Sequence, residues 1–361
     1  MQKRFSLKAA AHAAVHVSLA TGIAAQAADV SVSAPTGSGF SVSTPALPDP
    51  ALRVDEGGLV IRGTHGQGST PASGPGTRMM FDANTGAFRS GQITGTEWDA
   101  ADLGEYSFAG GYQVKASSTA GVAFGTNVTT SGTAGFAAGS SNTCSGFACM
   151  AVGYTNTASG QGAVALGYRT TANADYSVAL GNRVSSGGHK GSFAFGDASV
   201  NGVTPSLNTA DNEFMARATG GFRLRTSADL STGCDLPAGS GVFSCTSDRN
   251  QKEDFQVPDA QEVLAKIVSL PITQWRYIAE PGNVRHMGPM AQDFHAAFGL
   301  GPDDVTIGVN DLASVGLVAI QALAARTEQL QARSQEVETL RAEVAALRQA
   351  LVSIEQRLSP R

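Results

Sequence analysis

Between Tyr106 and Asp197 one short signature recurs seven times: Ala109-Gly110-Gly111, Ala123-Phe124-Gly125, Ala137-Ala138-Gly139, Ala151-Val152-Gly153, Ala165-Leu166-Gly167, Ala179-Leu180-Gly181 and Ala194-Phe195-Gly196. The closing glycines lie 14 residues apart five times running and then 15. A fixed short period means that each unit is one turn of a stack and cannot bury a core alone, so neighbouring units must supply the stability. Fourteen residues leave room for two short strands and two tight turns, and the half-repeat Ala158-Ser159-Gly160 marks the second turn. Within Tyr176-Ser177-Val178-Ala179-Leu180-Gly181, Val178 and Leu180 share one strand face, and Ser177, Ala179 and Gly181 share the other. The expectation is that the larger side chains pack a thin core while the small face lies outside and lets sister rolls approach. Composition agrees with a narrow, repetitive body: 43 of 361 residues are glycine, and charged residues make up 15% against roughly 25% in an ordinary domain.

What flanks the repeat reads differently. Lys3, Arg4 and Lys8 precede an apolar stretch over residues 9–25 that ends in Ala25-Gln26-Ala27, the order of a secretory signal peptide, expected over residues 1–27. His12, His16 and Ser18 interrupt the stretch, which argues against a membrane anchor. No later segment approaches the length of a membrane-spanning helix, so the expected location is extracytoplasmic, secreted or held at the cell surface. Residues 28–105, rich in Pro, Gly, Ser and Thr, are expected to form a leader and a cap on the first coil; the roll is placed at 106–200 and a β neck at 201–246. In an oxidising compartment the pairs Cys144 with Cys149 and Cys234 with Cys245 read as disulfides, within one chain or between chains. Zinc is the weaker reading, because no histidines stand at ligand spacing and no C-x-x-C occurs.

The S-x-A-x-G coils resemble the heads of trimeric autotransporter adhesins of the YadA kind. That resemblance implies a trimeric left-handed parallel β-roll, a homotrimer as the assembled state, and a host-surface or glycan ligand. Nucleic acid is excluded as a partner by the net charge of −5 and the absence of a basic patch. Gly187-Gly188-His189-Lys190-Gly191-Ser192 lacks the spacing of a phosphate loop, so no nucleotide cofactor is expected, nor any other.

From Ser247 onward the glycine repeat ends and charge returns, with 11 Lys+Arg and 15 Asp+Glu in residues 247–361. Ser247 and Lys252 stand five residues apart; an amine that has lost its proton can accept the serine hydroxyl proton. The junction Ser247-Asp248-Arg249-Asn250-Gln251-Lys252, with the later strings Pro271-Ile272-Thr273-Gln274-Trp275-Arg276-Tyr277 and Arg285-His286-Met287-Gly288-Pro289-Met290-Ala291-Gln292-Asp293-Phe294, resembles the intramolecular chaperone domain at the end of phage endosialidases and tail fibres. The resemblance covers residues 247–325. It implies that Ser247 is nucleophile and Lys252 general base, that the bond between Thr246 and Ser247 is cut, and that the domain guides trimerisation before its release. Asp248 is expected either to orient the lysine or to cap the next turn. Arg285, His286 and Gln292 are expected to support the site or, as the more ordinary role, to make core or interface hydrogen bonds. His295 and His286 have no third ligand beside them, so no metal is proposed.

The chain ends in a helical pattern. Leu323, Leu330, Val337, Val344, Leu351 and Leu358 repeat every seven residues, with Leu340, Leu347 and Ile354 on the second seam and Arg326 and Arg333 ahead of them. This reads as a coiled coil, assigned to 326–361 with its helix starting near residue 313. The fold class expected is therefore mainly β with an α+β tail. Two functions fit it: an exported trimeric fibre or adhesin-like protein with a self-cleaving chaperone tail, and one whose tail stays on as a permanent trimerisation module. An exported glycan-processing enzyme is disfavoured, since Asp175 and Asp197 stand alone where glycoside cleavage needs paired carboxylates.

Overall fold

The computed structural model describes residues 5–8, 14–17, 40–42, 52–200 and 205–358. Most of the expected signal sequence lies outside them; Phe5–Lys8 and Ala14–Val17 run antiparallel. The chain divides into two compact units, Met1–Thr246 and Ser247–Arg361.

The first unit is a β-solenoid of about six turns. Each coil carries one five-residue strand and one two-residue strand, for example Phe136–Ser140 and Thr143–Cys144. Successive coils pair in parallel at an offset of 14 residues, so that Ala123, Ala137, Ala151, Ala165 and Ala179 form one ladder. Both turns of each coil carry a residue in the left-handed region, at Ala120, Asn127, Ala134, Ser141, Ala148 and Thr155 and onward every seven residues. The closing glycine answers a separate need. At Gly139, with φ of 113°, an added Cβ would run into the carbonyl of Gly153 in the next coil.

The faces are the reverse of the sequence expectation. The alanine ladder is fully buried inside the roll, together with Ser177, whereas Val178 and Leu180 are half-exposed and point outward. A coil this short has an interior that admits only small side chains, and so the larger ones go out. They form an apolar stripe that includes Phe124, Phe136 and Met150, each more than a third exposed. Inside, a second ladder runs Val114, Val128, Asn142, Asn156, Thr170, Val184. Asn156 donates from Nδ2 to the carbonyls of Val152 and Gly167, and its Oδ1 accepts from the backbone N–H of Thr170 at 2.9 Å and from the Thr170 hydroxyl. Cys144 and Cys149, both buried and both pointing inward, are joined across the interior.

The roll also runs past residue 200. Seven inserted residues precede a last coil, formed by Ser206–Leu207 and Phe214–Arg217 and paired on the coil before it. Its signature is missing because no further strand among the described residues pairs on it: Arg217 stands opposite Gly196 and donates to the carbonyls of Asn182 and Asp197 and to the Asp197 carboxylate. The opposite end is closed by a hairpin, Gly76–Asp82 with Ala87–Ile93, whose second strand pairs with the first coil. There Arg89 is fully buried and donates to the carbonyls of Phe88, Ser107 and Ala116, while Trp98 donates to Val114. Burial lowers the Arg89 pKa to about 10, against the raising effect of Asp82. Beyond the roll, Gly221–Arg225, Gly233–Pro237 and Ser244–Cys245 form an antiparallel sheet.

The second unit contains α1 (Ala260–Ser269), a hairpin of Thr273–Trp275 with His286–Gly288, α2 (Ala291–Phe298) and α3 (Val309–Leu358). Asp259 caps α1 by accepting from the N–H groups of Gln261 and Glu262. Leu270, Phe294 and Val315 form a small core with Val263, Ile267 and Ile307 around it. Only the start of α3 is anchored there, through Val315, Ala319 and Ala322. One helix thus crosses the expected boundary at residue 325 without a break, and its seven-residue seam from Leu323 to Leu358 is exposed in the single chain. Among the described residues no helix is long and apolar enough to cross a membrane.

Candidate self-cleavage site

Ser247 is the first residue of the second unit. A short helical turn, Arg249–Gln251, follows it, and the backbone N–H of Lys252 closes on the Arg249 carbonyl. Asp248 is the cap: its Oδ1 accepts from the backbone N–H and the side-chain amide of Asn250. Of the two roles expected for Asp248, capping is the one its hydrogen bonds serve. The turn brings the ends of two side chains five residues apart together, so that Lys252 Nζ donates to Ser247 Oγ at 2.7 Å. The Arg249 guanidinium lies over the Phe255 ring at 5.6 Å, which folds the loop back on itself. Ser247 and Lys252 are both exposed in the single chain.

Residues 247–305 match the family described as chaperone of endosialidase. The match opens on Ser247 itself, the residue at which the fold divides. Residues 150–170 and 158–183 match two copies of the YadA head domain repeat. These are the two resemblances read from the sequence, and together they describe an adhesin-like head joined to a chaperone segment. No curated protein and no solved structure gives a significant match to the chain.

Within the chaperone segment two of the other expected residues, His286 and Arg285, have partners of their own. His286 Nε2 lies 2.7 Å from Glu280 Oε2, and its ring stacks on Trp275 at 4.8 Å and meets Tyr277 edge-on. Arg285 donates to the Gln274 carbonyl at 3.4 Å, across the hairpin. Gln292 is exposed on the first turn of α2. The contacts of Arg285 and His286 tie the two strands of the hairpin together. His286 depends on Glu280, which sequence reasoning passed over because nothing in the string marks a carboxylate six residues upstream as its partner.

The amino-terminal side of the junction belongs to the first unit. Cys234 and Cys245 are joined, and they stand opposite one another in the antiparallel sheet. Thr246 follows immediately: its N–H donates to the Gly233 carbonyl at 2.8 Å, and its hydroxyl oxygen accepts from the Gly233 N–H at 3.2 Å. The adjacency of Cys245 and Thr246 was visible in the sequence; the partner strand that gives it meaning was not. Among the described residues no group of His, Cys, Asp or Glu is arranged to hold a metal ion.

Proposed function

We propose that this is an exported, trimeric, adhesin-like protein whose carboxyl-terminal segment aligns three chains during folding and then cuts itself off between Thr246 and Ser247. The observation that carries this reading is the 2.7 Å contact of Lys252 Nζ with Ser247 Oγ at the point where the chain divides into two units. The two family matches support it.

The nucleophile sits on the carboxyl side of the bond it cuts, so its attack on the preceding carbonyl closes a five-membered ring. Ser247 Oγ bonds to the Thr246 carbonyl carbon and the bond from that carbon to the Ser247 nitrogen breaks. The hydroxyl proton passes through Lys252 Nζ to the departing nitrogen. Water then hydrolyses the ester, which leaves a carboxylate on Thr246 and restores the Ser247 hydroxyl. An amine acts as a base only after losing its proton, and desolvation drives that loss. In the single chain Lys252 donates to Ser247, and both groups are exposed; cover from sister chains would arm the pair, so that cutting follows assembly.

The outward stripe of Phe124, Phe136 and Met150 and the exposed seam of α3 support trimerisation, because faces of this kind are normally covered. The test compares the wild type with Ser247→Ala by denaturing gel and intact mass. A fragment beginning at Ser247 in the wild type alone is expected. Full-length chains in both after trimerisation would leave the tail as a permanent trimerisation module.

A further inference from the structure

The residue on the amino side of the proposed cut is held with more care than a linker needs. The strand that leads into it, Ser244–Cys245, has two residues and two register pairs, Cys234 with Cys245 and Asp235 with Ser244. A pairing that short at a sheet edge is marginal by itself. Upstream it is reached through residues 238–243, all exposed, with open space around Gly239 and Gly241. The Cys234–Cys245 bond is therefore what pins the strand. Directly after it, Thr246 is fixed by its N–H and its hydroxyl to Gly233, and the hydroxyl also lies 3.3 Å from the Ser231 carbonyl.

We infer that the Cys234–Cys245 disulfide and the Thr246 hydroxyl form a positioning device for the cut, presenting the Thr246 carbonyl in one orientation and making self-cleavage depend on oxidation. The inference rests on the self-cleavage reading above. Closing a five-membered ring requires the carbonyl to face Ser247 Oγ along a narrow approach, and a loose chain end offers that orientation only part of the time. Fixing one residue's backbone corresponds to roughly five- to thirty-fold in rate. A chain that had not yet reached an oxidising compartment would keep its chaperone, and oxidation after export would release it.

The two disulfides differ in a way that makes this testable. Cys144 and Cys149 are buried within the roll, whereas Cys245 is exposed. A dithiol such as dithiothreitol reduces the exposed bond to two thiols while itself becoming a cyclic disulfide, with the electrons balanced, and leaves the interior bond intact. The full chain is produced under reducing conditions, and cutting is followed by intact mass after addition of oxidised glutathione, with the trimer fraction measured in the same samples.

Cutting is expected to be about tenfold faster once oxidised, to slow again when dithiothreitol is returned to uncut trimer, and to stay slow in Cys234→Ser/Cys245→Ser under both conditions. Thr246→Ser is expected to cut like the wild type and Thr246→Val several-fold more slowly, without change in the pH at which the rate is half-maximal, since the device acts on the carbonyl and not on Lys252. Equal rates with and without the bond at equal trimer fraction would overturn the inference. So would a fall in rate that merely tracks loss of trimer. A wild type that never cuts, oxidised and trimeric, would instead remove the self-cleavage reading beneath it.

Discussion

Two kinds of left-handed residue stand in each coil, and they make opposite predictions. Ala134, at φ of 55° in a turn, adopts a conformation that costs an L-residue about 1 kcal/mol and glycine nearly nothing. Gly139, at φ of 113°, lies against the carbonyl of Gly153, where a methyl group adds a steric clash to an unfavourable backbone. Ala134→Gly is therefore expected to be neutral or to stabilise by up to ~1 kcal/mol, the gain offset in part by the entropy of the freer unfolded chain. Gly139→Ala is expected to cost at least ~2 kcal/mol. Urea denaturation of the two variants beside the wild type checks both, and equal effects would mean that the glycine is placed for its flexibility and not for the approach of the next coil.

At the scale of coils and helices, the period, the two short strands per coil and the stacking of coils were legible in the sequence because each derives from a spacing, whereas the parallel direction was implied by the resemblance to adhesin heads. Which face turned inward was not, since alternation alone is symmetric between the two; the narrow interior decides it. The last coil was illegible for a related reason: the glycine that marks a coil is needed only where another coil follows, and at the end Arg217 replaces it. In the tail, Ser247 and Lys252 were singled out through the resemblance to the endosialidase chaperone, their spacing alone being too common to mark them, while Glu280 and the pairing of Thr246 with Gly233 belong to chain reversals that no local string reveals.

The closing coil carries a pH-dependent clip. Asp197 accepts from the Ser199 hydroxyl, from the hydroxyl and backbone N–H of Thr219, and from Arg217, and these bonds hold its carboxyl well below the usual carboxylate range, the Ser199 bond contributing most. A carboxylate whose pKa is depressed on folding adds stability that is present above its unfolded pKa and lost as the pH falls toward the folded one. Asp229, held to about 2 chiefly by the Ser227 hydroxyl, titrates in the same sense in the neck. Lowering the pH from 6 to 3 is expected to destabilise the wild type more than Asp197→Asn, with the difference appearing below about pH 5 and confined by hydrogen exchange to the last coil. Parallel loss in the two proteins would show that the clip contributes nothing to acid sensitivity.

Across the whole molecule the difficulty is alignment. Rungs repeat at 14 residues, so two chains displaced by one coil still set alanine beside alanine and an outward apolar residue beside another, and little in the roll opposes the slip. The interior departures, Asn142, Asn156, Thr170, Thr130 and the Cys144–Cys149 pair, are satisfied within their own chain and report nothing to a neighbour. The α3 seam differs along its length, with Arg326 and Arg333 ahead of Leu340, Leu347 and Ile354, and polar breaks of this kind specify register in coiled coils. Under the proposed function the tail is therefore the part assigned to hold three chains level. A spin label on Thr133→Cys, exposed in its coil, measures the outcome: trimers of the Ser247→Ala chain, which keep the tail, are expected to give one interchain distance. Chains ending at Thr246 are expected to give a broadened set of longer distances, as sister labels become offset along the roll axis by multiples of about 4.8 Å, the spacing of neighbouring strands, with a lower yield of trimer. A single narrow distance from the shortened chain, at equal yield, would show that the rolls align themselves and that the tail has some other task.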